Sequence, residues 1–310
     1  MSDRSHRASI FLEDAVVLSQ ETHPGAQHIL RLAAPDCART AAPGSFVHLR
    51  CDPALPMRRP LSLLRADPVS GTIEILYKVV GEGTRLLAQR RPGDTLSVLG
   101  PIGRPFEWHP ERPRALLIGG GVGMPPLIFL AERLRRVGGC QPFVILGSEV
   151  PFPFELVRTE EVLAGVPETI TATPACLDEQ GIPCRLASLQ GYADCFEGYV
   201  TDLADLWLRG LDADARQQVE VFACGPHAML AAVARLAKTW GLPCQVSLEE
   251  FMACGVGGCA GCVVEVQTPE GPSMKRVCVD GPVFDAEQIF PYDENRAARS
   301  LPRPPGEGLG

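Results

Sequence analysis

The sequence predicts a chain of several domains, in which an antiparallel β-barrel is followed by a doubly wound parallel α/β sheet and then by a small cysteine-rich module. Three observations lead to this order. Short apolar strands broken by Pro/Gly turns fill the first third of the chain. Strand–loop–helix units alternate in the middle, as in a parallel sheet covered by helices. Four closely spaced cysteines lie near the C-terminal end.

The domain boundaries follow from these changes of pattern. A chain of 310 residues has room for two or three cores of ordinary size. We expect the β-barrel over residues 8–108, the α/β lobe over residues 109–243 and the cysteine module over residues 244–290. Residues 291–310 are polar and rich in Pro, Gly and Arg, a composition typical of a disordered tail.

Composition and charge exclude several classes of function. The net charge of −8 argues against a nucleic-acid-binding protein, because phosphate binding needs a basic surface. The N-terminal residues lack the apolar core of a signal peptide, and no apolar run approaches the roughly 20 residues that cross a bilayer. We therefore expect a cytoplasmic protein with no membrane or nucleic-acid partner. Its 12 cysteines suit metal ligands and buried thiols better than disulfides.

In the first domain, three short motifs follow or end apolar strands. RRPLS covers residues 58–62, YKVVGEGT covers 77–84 and GPIG covers 100–103. RRPLS by itself is a weak signal, because an arginine beside a proline is usually part of a surface turn. The two glycines and the threonine of the second motif suit a backbone that a phosphate or an isoalloxazine ring approaches closely. Together the three motifs favour a cofactor site over ordinary turns.

In the second domain, the loop GGGVGMPPL (119–127) joins a buried-type strand to a helix. Such a loop aims backbone N–H groups and a helix N-terminus at an anion, so a pyrophosphate is its natural ligand. It is not the G-x-G-x-x-G fingerprint of dinucleotide-binding proteins, because two prolines follow at once. A plain strand-to-helix turn is the alternative, but the loop has more glycines than such a turn requires: Gly119, Gly120, Gly121 and Gly123.

The same lobe carries two further candidate sites. Cys224, Gly225 and Pro226 lie between a strand and a helix, although Cys224 is also compatible with a buried core thiol. Glu149 ends the strand VILGSE, where a carboxylate can accept a hydrogen bond from the adenine ribose hydroxyl and repel a 2′-phosphate. That position favours NAD over NADP, with an exposed loop glutamate as the alternative.

The most informative feature is the spacing C-x4-C-x2-C-x15-C of Cys254, Cys259, Cys262 and Cys278. Four thiolates can hold the two irons of a 2Fe–2S cluster, and the first three match the plant-type ferredoxin spacing. The glycines between them allow the φ > 0 turns of a loop that points its amides at the sulfurs. Zinc is the main rival, but zinc sites usually have two separate C-x2-C pairs. The spacing therefore predicts single-electron transfer, with a zinc-stabilised scaffold as the alternative.

The order of the motifs in the first two domains resembles the ferredoxin–NADP reductase superfamily. By that resemblance, Arg59 binds the FAD pyrophosphate, and Ser62 lies near the reactive flavin nitrogen as a catalytic residue. Cys224 lies near the nicotinamide ring as the second catalytic candidate. The other residues expected to contact FAD are Pro60, Leu61, Leu76, Tyr77, Lys78, Gly83 and Thr84. Those expected to contact NAD are Gly119, Gly120, Gly121, Gly123, Glu149, Gly225 and Pro226.

With the cysteine module added, residues 8–290 closely resemble the electron-transfer subunit of dihydroorotate dehydrogenase B, most specifically in the cluster motif and the DGPVF that follows it. The resemblance implies an oxidoreductase subunit of pyrimidine biosynthesis with FAD, a 2Fe–2S cluster and NAD as cofactors. A separate FMN-containing catalytic subunit would oxidise dihydroorotate, and electrons would pass through the cluster and FAD to NAD⁺ within a heterotetramer. The segment PFPFEL (151–156) and the tail depart from the family pattern without touching a motif.

A related subunit of an NAD(P)H-dependent ferredoxin or sulfide reductase is the second interpretation. In those proteins we expect a non-cysteine ligand or a different segment after the cluster. Here Cys254 is present and VCVDGPVF is complete, which favours the first interpretation. A colour test separates both from the zinc scaffold, because flavin and iron–sulfur clusters absorb visible light and zinc does not.

Overall fold

The computed structural model describes residues 10–291 of the chain. The disordered tail predicted for residues 291–310 therefore lies outside the described residues, except for Pro291. Within the described range, no helix is long and apolar enough to cross a membrane. The first unit contains β1 (Phe11–His23), β2 (Gln27–Ala33), α1 (Pro35–Thr40), β3 (Phe46–Arg50), β4 (Arg59–Ser62), β5 (Arg65–Asp67), β6 (Thr72–Lys78), α2 (Glu82–Leu87) and β7 (Thr95–Ile102).

The strands of this first unit make one antiparallel sheet in the order β4-β3-β7-β1-β2-β6-β5. Alternate residues of β2 and β6 point into its core, so Leu30, Leu32, Ile73 and Ile75 are fully buried. The sequence predicted a β-barrel, and the structure has an antiparallel half-barrel. Its end strands, β4 and β5, each pair with a single neighbour.

The rest of the chain alternates strands and helices before it ends in small elements. The second unit contains β8 (Arg114–Gly120), α3 (Met124–Val137), β9 (Gln141–Gly147), β10 (Leu156–Arg158), β11 (Ala172–Pro174), α4 (Ala175–Asp178), β12 (Cys184–Ser188), β13 (Phe196–Glu197), α5 (Val200–Gly210), α6 (Ala213–Gln217), β14 (Val219–Cys224), α7 (His227–Trp240) and β15 (Cys244–Ser247). The C-terminal elements are β16 (Val263–Thr268), β17 (Gly271–Arg276), α8 (Val277–Asp280), β18 (Val283–Asp285) and α9 (Ala286–Ile289).

A second sheet has the strand order β13-β12-β9-β8-β14-β15-β18. Neighbouring strands in this sheet run parallel, except that β18 is antiparallel to β15 at one edge. On one face, Leu127 and Leu130 of α3 share a core with Leu117 of β8, and on the other Leu203 of α5 shares a core with Leu116. Because β8 is buried on both faces, its sequence is a continuous apolar run rather than an alternating one.

The segment of residues 281–285 follows the last of the four cysteines, Cys278, and we call it the C-terminal strap. The backbone N–H of Arg104, just beyond β7, donates to the carbonyl oxygen of Gly281 at 2.6 Å. The N–H of Leu248 donates to the carbonyl oxygen of Pro282 at 2.9 Å. The remaining strap residues form β18 and pair with β15. The strap therefore contacts the half-barrel and the second sheet together.

A largely buried ion pair also joins the two sheets. Nε of Arg65, in β5, donates to both carboxylate oxygens of Glu132 in α3, at 2.8 and 2.9 Å. The Glu132 side chain is 6% exposed and that of Arg65 is 30% exposed. Burial acts to lower the pKa of Arg65, but the hydrogen bonds and charge of Glu132 outweigh burial and raise the pKa above its ordinary value. The guanidinium is thus held charged against α3.

Replacing Arg65 with Ala should destabilise the protein by about 3 kcal/mol, because the change leaves a buried carboxylate without its cation. The measurement is the free energy of unfolding in denaturant. Arg85→Ala is the matched control, since the pair of Arg85 with Glu82 is exposed and should contribute less than about 1 kcal/mol. Equal losses in the two variants would contradict the role of Arg65 as a buried link between the sheets.

Candidate functional site

A cavity of about 890 Å³ lies between the half-barrel and the cysteine module. Every residue for which the sequence predicted a contact with FAD lines it: Arg59, Pro60, Leu61, Ser62, Leu76, Tyr77, Lys78, Gly83 and Thr84. The opposite wall consists of residues 247–253 and Gly261, which the sequence analysis did not assign to a site. The only sequence signal for that wall is its position, LEEFMA, immediately before the first cluster cysteine.

Arg59 and the loop after β6 form one end of the cavity. Nη1 of Arg59 donates to the carbonyl oxygens of Met57 at 3.0 Å and Arg58 at 3.1 Å, both neutral groups. A Cβ atom on Gly83 would lie 2.8 Å from Nε of Arg59, so the guanidinium rests directly on the glycine backbone. Oγ1 of Thr84 accepts the N–H of Val80 at 3.0 Å and so holds the loop in shape. A guanidinium beside bare backbone suits a phosphate group.

Ser62 and Tyr77 both line the cavity. Ser62 pairs with Phe46 across β3 and β4, and Phe46 also lines the cavity. Tyr77 is 1% exposed, and its hydroxyl donates to Oε1 of Gln20 at 3.1 Å. Its ring stacks on that of His28, with the centroids 5.3 Å apart. The ring of Tyr77 is therefore held in a fixed position beside the cavity.

The predicted nucleotide residues meet at the carboxyl edge of the second sheet, beside the cavity. A Cβ atom on Gly123 would lie 2.4 Å from the carbonyl group of Cys224, and one on Gly120 would lie 2.5 Å from Sδ of Met229. At Gly123 the loop after β8 thus packs backbone against backbone on the end of β14, whereas Gly120 faces the Met229 side chain of α7. Val122 of the same loop lines the cavity, whereas its glycines, Cys224, Gly225 and Pro226 lie outside the lining.

Cys224 and Glu149 differ in their access to solvent. Cys224 is fully buried, and burial raises the pKa of its thiol well above the ordinary value, so the thiol stays protonated. Glu149 is exposed two residues beyond Gly147, the last residue of β9. Because Gly147 pairs with Gly120 of β8, Glu149 follows the strand adjacent to the glycine loop. Cys224 and Glu149 thus lie at the same edge of the sheet, Cys224 at the end of β14 and Glu149 just beyond the end of β9.

The four predicted ligands form two pairs of thiols. The thiol of Cys254 interacts electrostatically with that of Cys259, and the thiol of Cys262 with that of Cys278. The backbone N–H of Cys278 also donates to Sγ of Cys262 at 3.5 Å. Cys259 is exposed, whereas Cys262 and Cys278 are buried. Within residues 10–291, no three His, Cys, Asp or Glu side chains are grouped around the position of a single ion. Two pairs of thiolates are the ligand arrangement that two irons bridged by sulfides need.

The backbone of the module supports these sulfurs with N–H donors. Sγ of Cys254 accepts the N–H of Gly258 at 3.2 Å, and Sγ of Cys259 accepts that of Gly261 at 3.4 Å. Burial acts to raise the pKa of Cys254, but backbone hydrogen bonds, chiefly from Val256 and Cys259, lower it to about 7. A thiol that ionises near neutral pH is a suitable metal ligand. The residues present therefore fit a cluster.

The chain is similar to several known proteins over most of its length. The family described as the iron-sulfur cluster binding domain of dihydroorotate dehydrogenase B matches residues 249–290. A dihydroorotate dehydrogenase B (NAD(+)) electron transfer subunit from Desulforamulus reducens is 32% identical over 287 residues, covering 89% of this chain and 97% of the relative. The subunit of the same name from Bacillus caldolyticus is 41% identical over 253 residues, covering 80% of this chain and 86% of the relative.

Solved structures share the fold. The structure of an NADH-dependent reduced ferredoxin-NADP oxidoreductase is 27% identical, with a TM-score of 0.71 over 93% of this chain and 92% of the other. The ferredoxin reductase in carbazole 1,9a-dioxygenase is 20% identical, with a TM-score of 0.59 over 76% and 67%. On the identity and coverage of its sequence relatives, the chain belongs to the family of dihydroorotate dehydrogenase B (NAD(+)) electron transfer subunits.

Proposed function

We propose that this chain transfers electrons from the FMN of a partner subunit, which oxidises dihydroorotate, to NAD⁺. One observation carries the proposal: a single cavity has the flavin motifs on one wall and the segment that leads into the cluster cysteines on the other. Gly261, which lies between two of those cysteines, is part of the lining. A flavin in this cavity would therefore lie against the cluster loop. When bound, the cluster would carry single electrons, and the flavin would combine two of them into a hydride for the nicotinamide.

The half-barrel residues would hold the flavin in a fixed orientation. Arg59 would bind the pyrophosphate together with the backbone at Gly83, because its charge is directed toward bare backbone rather than toward a carboxylate. Thr84 would keep the phosphate loop in shape through its bond with Val80. Ser62 would act near the reactive flavin nitrogen. The remaining contacts would come from Pro60, Leu61, Leu76, Tyr77 and Lys78.

The second sheet would bind the nicotinamide nucleotide as a doubly wound lobe. Parallel pairing of β9, β8 and β14, with helices on both faces, supports this assignment. The loop of Gly119, Gly120, Gly121 and Gly123 would meet the pyrophosphate, beside Gly225 and Pro226. Glu149 would accept a bond from the adenine ribose. Cys224 would act near the nicotinamide as a neutral thiol, since it is buried and protonated.

The domain limits are part of the proposal. We assign the flavin domain to residues 8–108, the NAD lobe to residues 109–243 and the cluster module to residues 244–290. The gap between β7, which ends at Ile102, and β8, which starts at Arg114, supports the first boundary. In the module, Cys254 and Cys259 would hold one iron, and Cys262 and Cys278 the other.

The partner would be an FMN-containing catalytic subunit, combined with this chain in a cytoplasmic heterotetramer. The test is to assay the purified chain with dihydroorotate and NAD⁺, first alone and then with a candidate catalytic subunit. We expect orotate and NADH only after the addition. Rapid orotate formation by the isolated chain would contradict the proposal.

An NAD(P)H-dependent ferredoxin or sulfide reductase subunit is the second candidate. The observation that favours it is the similarity to the NADH-dependent reduced ferredoxin-NADP oxidoreductase over almost the whole chain. Reduction of a ferredoxin or of sulfur by NADH or NADPH, without NADH formation with any dihydroorotate-oxidising partner, would support this candidate instead.

Replacing Cys259 with Ser should abolish the cluster and leave the flavin bound, because serine is a poor iron ligand and the flavin motifs lie in another domain. The measurement is the visible and electron paramagnetic resonance spectrum together with flavin content. Reduction of a dye by NADH should survive, since a dye can take electrons directly from the flavin. Cys195→Ser, outside the module, is the control and should keep the cluster. A full cluster spectrum in Cys259→Ser would remove Cys259 from the ligand set.

Replacing Arg59 with Ala should weaken FAD binding by about one to two orders of magnitude, because a charge-assisted hydrogen bond contributes about 1.5–3 kcal/mol. Flavin content after dialysis and a binding titration measure the effect. Arg85→Ala, on the exposed side of α2, should retain wild-type flavin content. If both variants bind FAD equally well, Arg59 belongs to an ordinary turn.

The chain should use NADH in preference to NADPH, because the Glu149 carboxylate would repel a 2′-phosphate. Glu149→Gln should raise kcat/KM for NADPH and so reduce the preference for NADH over NADPH. Steady-state kinetics of dye reduction with both nucleotides provides the comparison. Equal efficiency of the wild-type chain with the two nucleotides would remove Glu149 from the site and favour the second candidate function.

A further inference from the structure

His48 lies where the half-barrel meets the cysteine module. It is in the middle of β3 and is 0% exposed. Side chains two residues apart in a strand share a face, so His48 points to the same side as Phe46. Phe46 lines the cavity and packs in the same core as Cys262 and Cys278. Leu49, on the opposite face, belongs to the core of the half-barrel. The imidazole is therefore directed toward the cluster module.

The ligand loop of the cluster rests directly on this imidazole. A Cβ atom on Gly255 would lie 2.7 Å from Nδ1 of His48, and Gly255 has φ +69, a backbone conformation that favours glycine. Nδ1 and Nε2 are both buried, and neither makes a hydrogen bond of ordinary length and angle within the described part of the chain. The backbone polar groups that interact with the ring belong to Cys254 and Arg58. A fully buried nitrogen with no strong partner requires an explanation.

Arg58 holds the backbone of His48 in place. Its Nη1 donates to the carbonyl oxygens of His48 at 3.1 Å and Ser97 at 2.7 Å. An imidazole carries at least one N–H donor whether it is neutral or charged. One ring N–H can therefore serve the carbonyl oxygen of a ligand residue.

We propose that His48 is a positioning residue for the cluster, whose Nδ1–H donates to the backbone carbonyl of Cys254 and holds the ligand loop against the flavin-binding strand. His48 pairs with Pro60 of β4, so the loop is held one strand away from the flavin motif. Groups that fix metal ligands from outside the ligand set govern both metal affinity and activity. The inference rests on the proposed function, since it concerns the spacing between flavin and cluster.

The test compares His48→Leu, which keeps a side chain of similar size without a donor, with His48→Asn, whose amide N–H can replace Nδ1–H. In the full chain with flavin and cluster bound, NADH donates a hydride, and thus two electrons, to the flavin, and one of them passes to the cluster. We expect His48→Leu to slow cluster reduction relative to flavin reduction by about tenfold. It should also shift the resonance spectrum of the reduced cluster and speed hydrogen exchange of amides 254–258. His48→Asn should recover most of each change.

Leu49→Ala is the matched control, because it weakens the same strand from its opposite face. It should lower the melting temperature of the protein. The cluster spectrum, the rate of cluster reduction relative to flavin reduction and the hydrogen exchange of amides 254–258 should stay unchanged. Wild-type values in His48→Leu, or the same changes in Leu49→Ala, would overturn the proposal. If His48→Leu fails to fold, His48→Gln replaces it in the test. The glutamine amide is longer and reaches toward the position of Nε2, so His48→Gln should show the same changes as His48→Leu. A wild-type chain that binds no cluster would overturn the proposed function as well, whereas failure of the variants alone leaves that function intact.

Discussion

The C-terminal strap is the constraint on which the rest of the arrangement depends. Within a few residues it accepts a hydrogen bond from the end of the half-barrel, accepts another from the wall of the cavity and adds an edge strand to the second sheet. A Cβ atom on Gly281 would lie 2.2 Å from the ring of Phe284, so the strap turns too tightly for another residue. Cys278, the fourth proposed ligand, lies just before it on α8. The same short segment thus fixes the end of the cysteine module, the cavity wall and the sheet edge together.

Polar contacts, rather than apolar packing alone, join the two sheets and fix the segment between β7 and β8. Arg65 links β5 to Glu132 on α3, and the carboxylate of Glu220 in β14 accepts hydrogen bonds from His109 and Gln245. Glu220 is 1% exposed, and a buried carboxylate is costly unless hydrogen bonds such as these satisfy it. Such contacts are directional and fix the angle between the units, which an apolar interface of the same area would leave less determined. The geometry of the cavity therefore depends on a few hydrogen bonds outside it.

The sequence predicted the features that short segments encode by themselves. The cysteine spacing, the glycine loop and RRPLS are each local, and the structure brings the predicted flavin residues into one cavity. The sequence could not predict features that depend on contacts between residues far apart in the chain. By its sequence pattern, Glu132 looks like an exposed helix residue. In the folded chain it is buried, because Arg65 from the other sheet covers it. His48 resembles an ordinary strand residue, and only the folded chain shows Gly255 above its ring. Whether an antiparallel sheet closes into a barrel likewise depends on its end strands, which turn composition does not specify.

The two walls of the cavity are far apart in the chain, residues 46–84 on one side and residues 247–282 on the other. Domains generally fold in the order in which the ribosome produces them. The half-barrel, which includes Arg59, is therefore complete while the wall formed by residues 247–282 is still being translated. A flavin bound in the proposed site at that stage would be held from one side, and it would be enclosed only after the last module emerges. Premature termination before Ser247 would thus produce a chain that lacks one wall of the proposed flavin site as well as the cysteines.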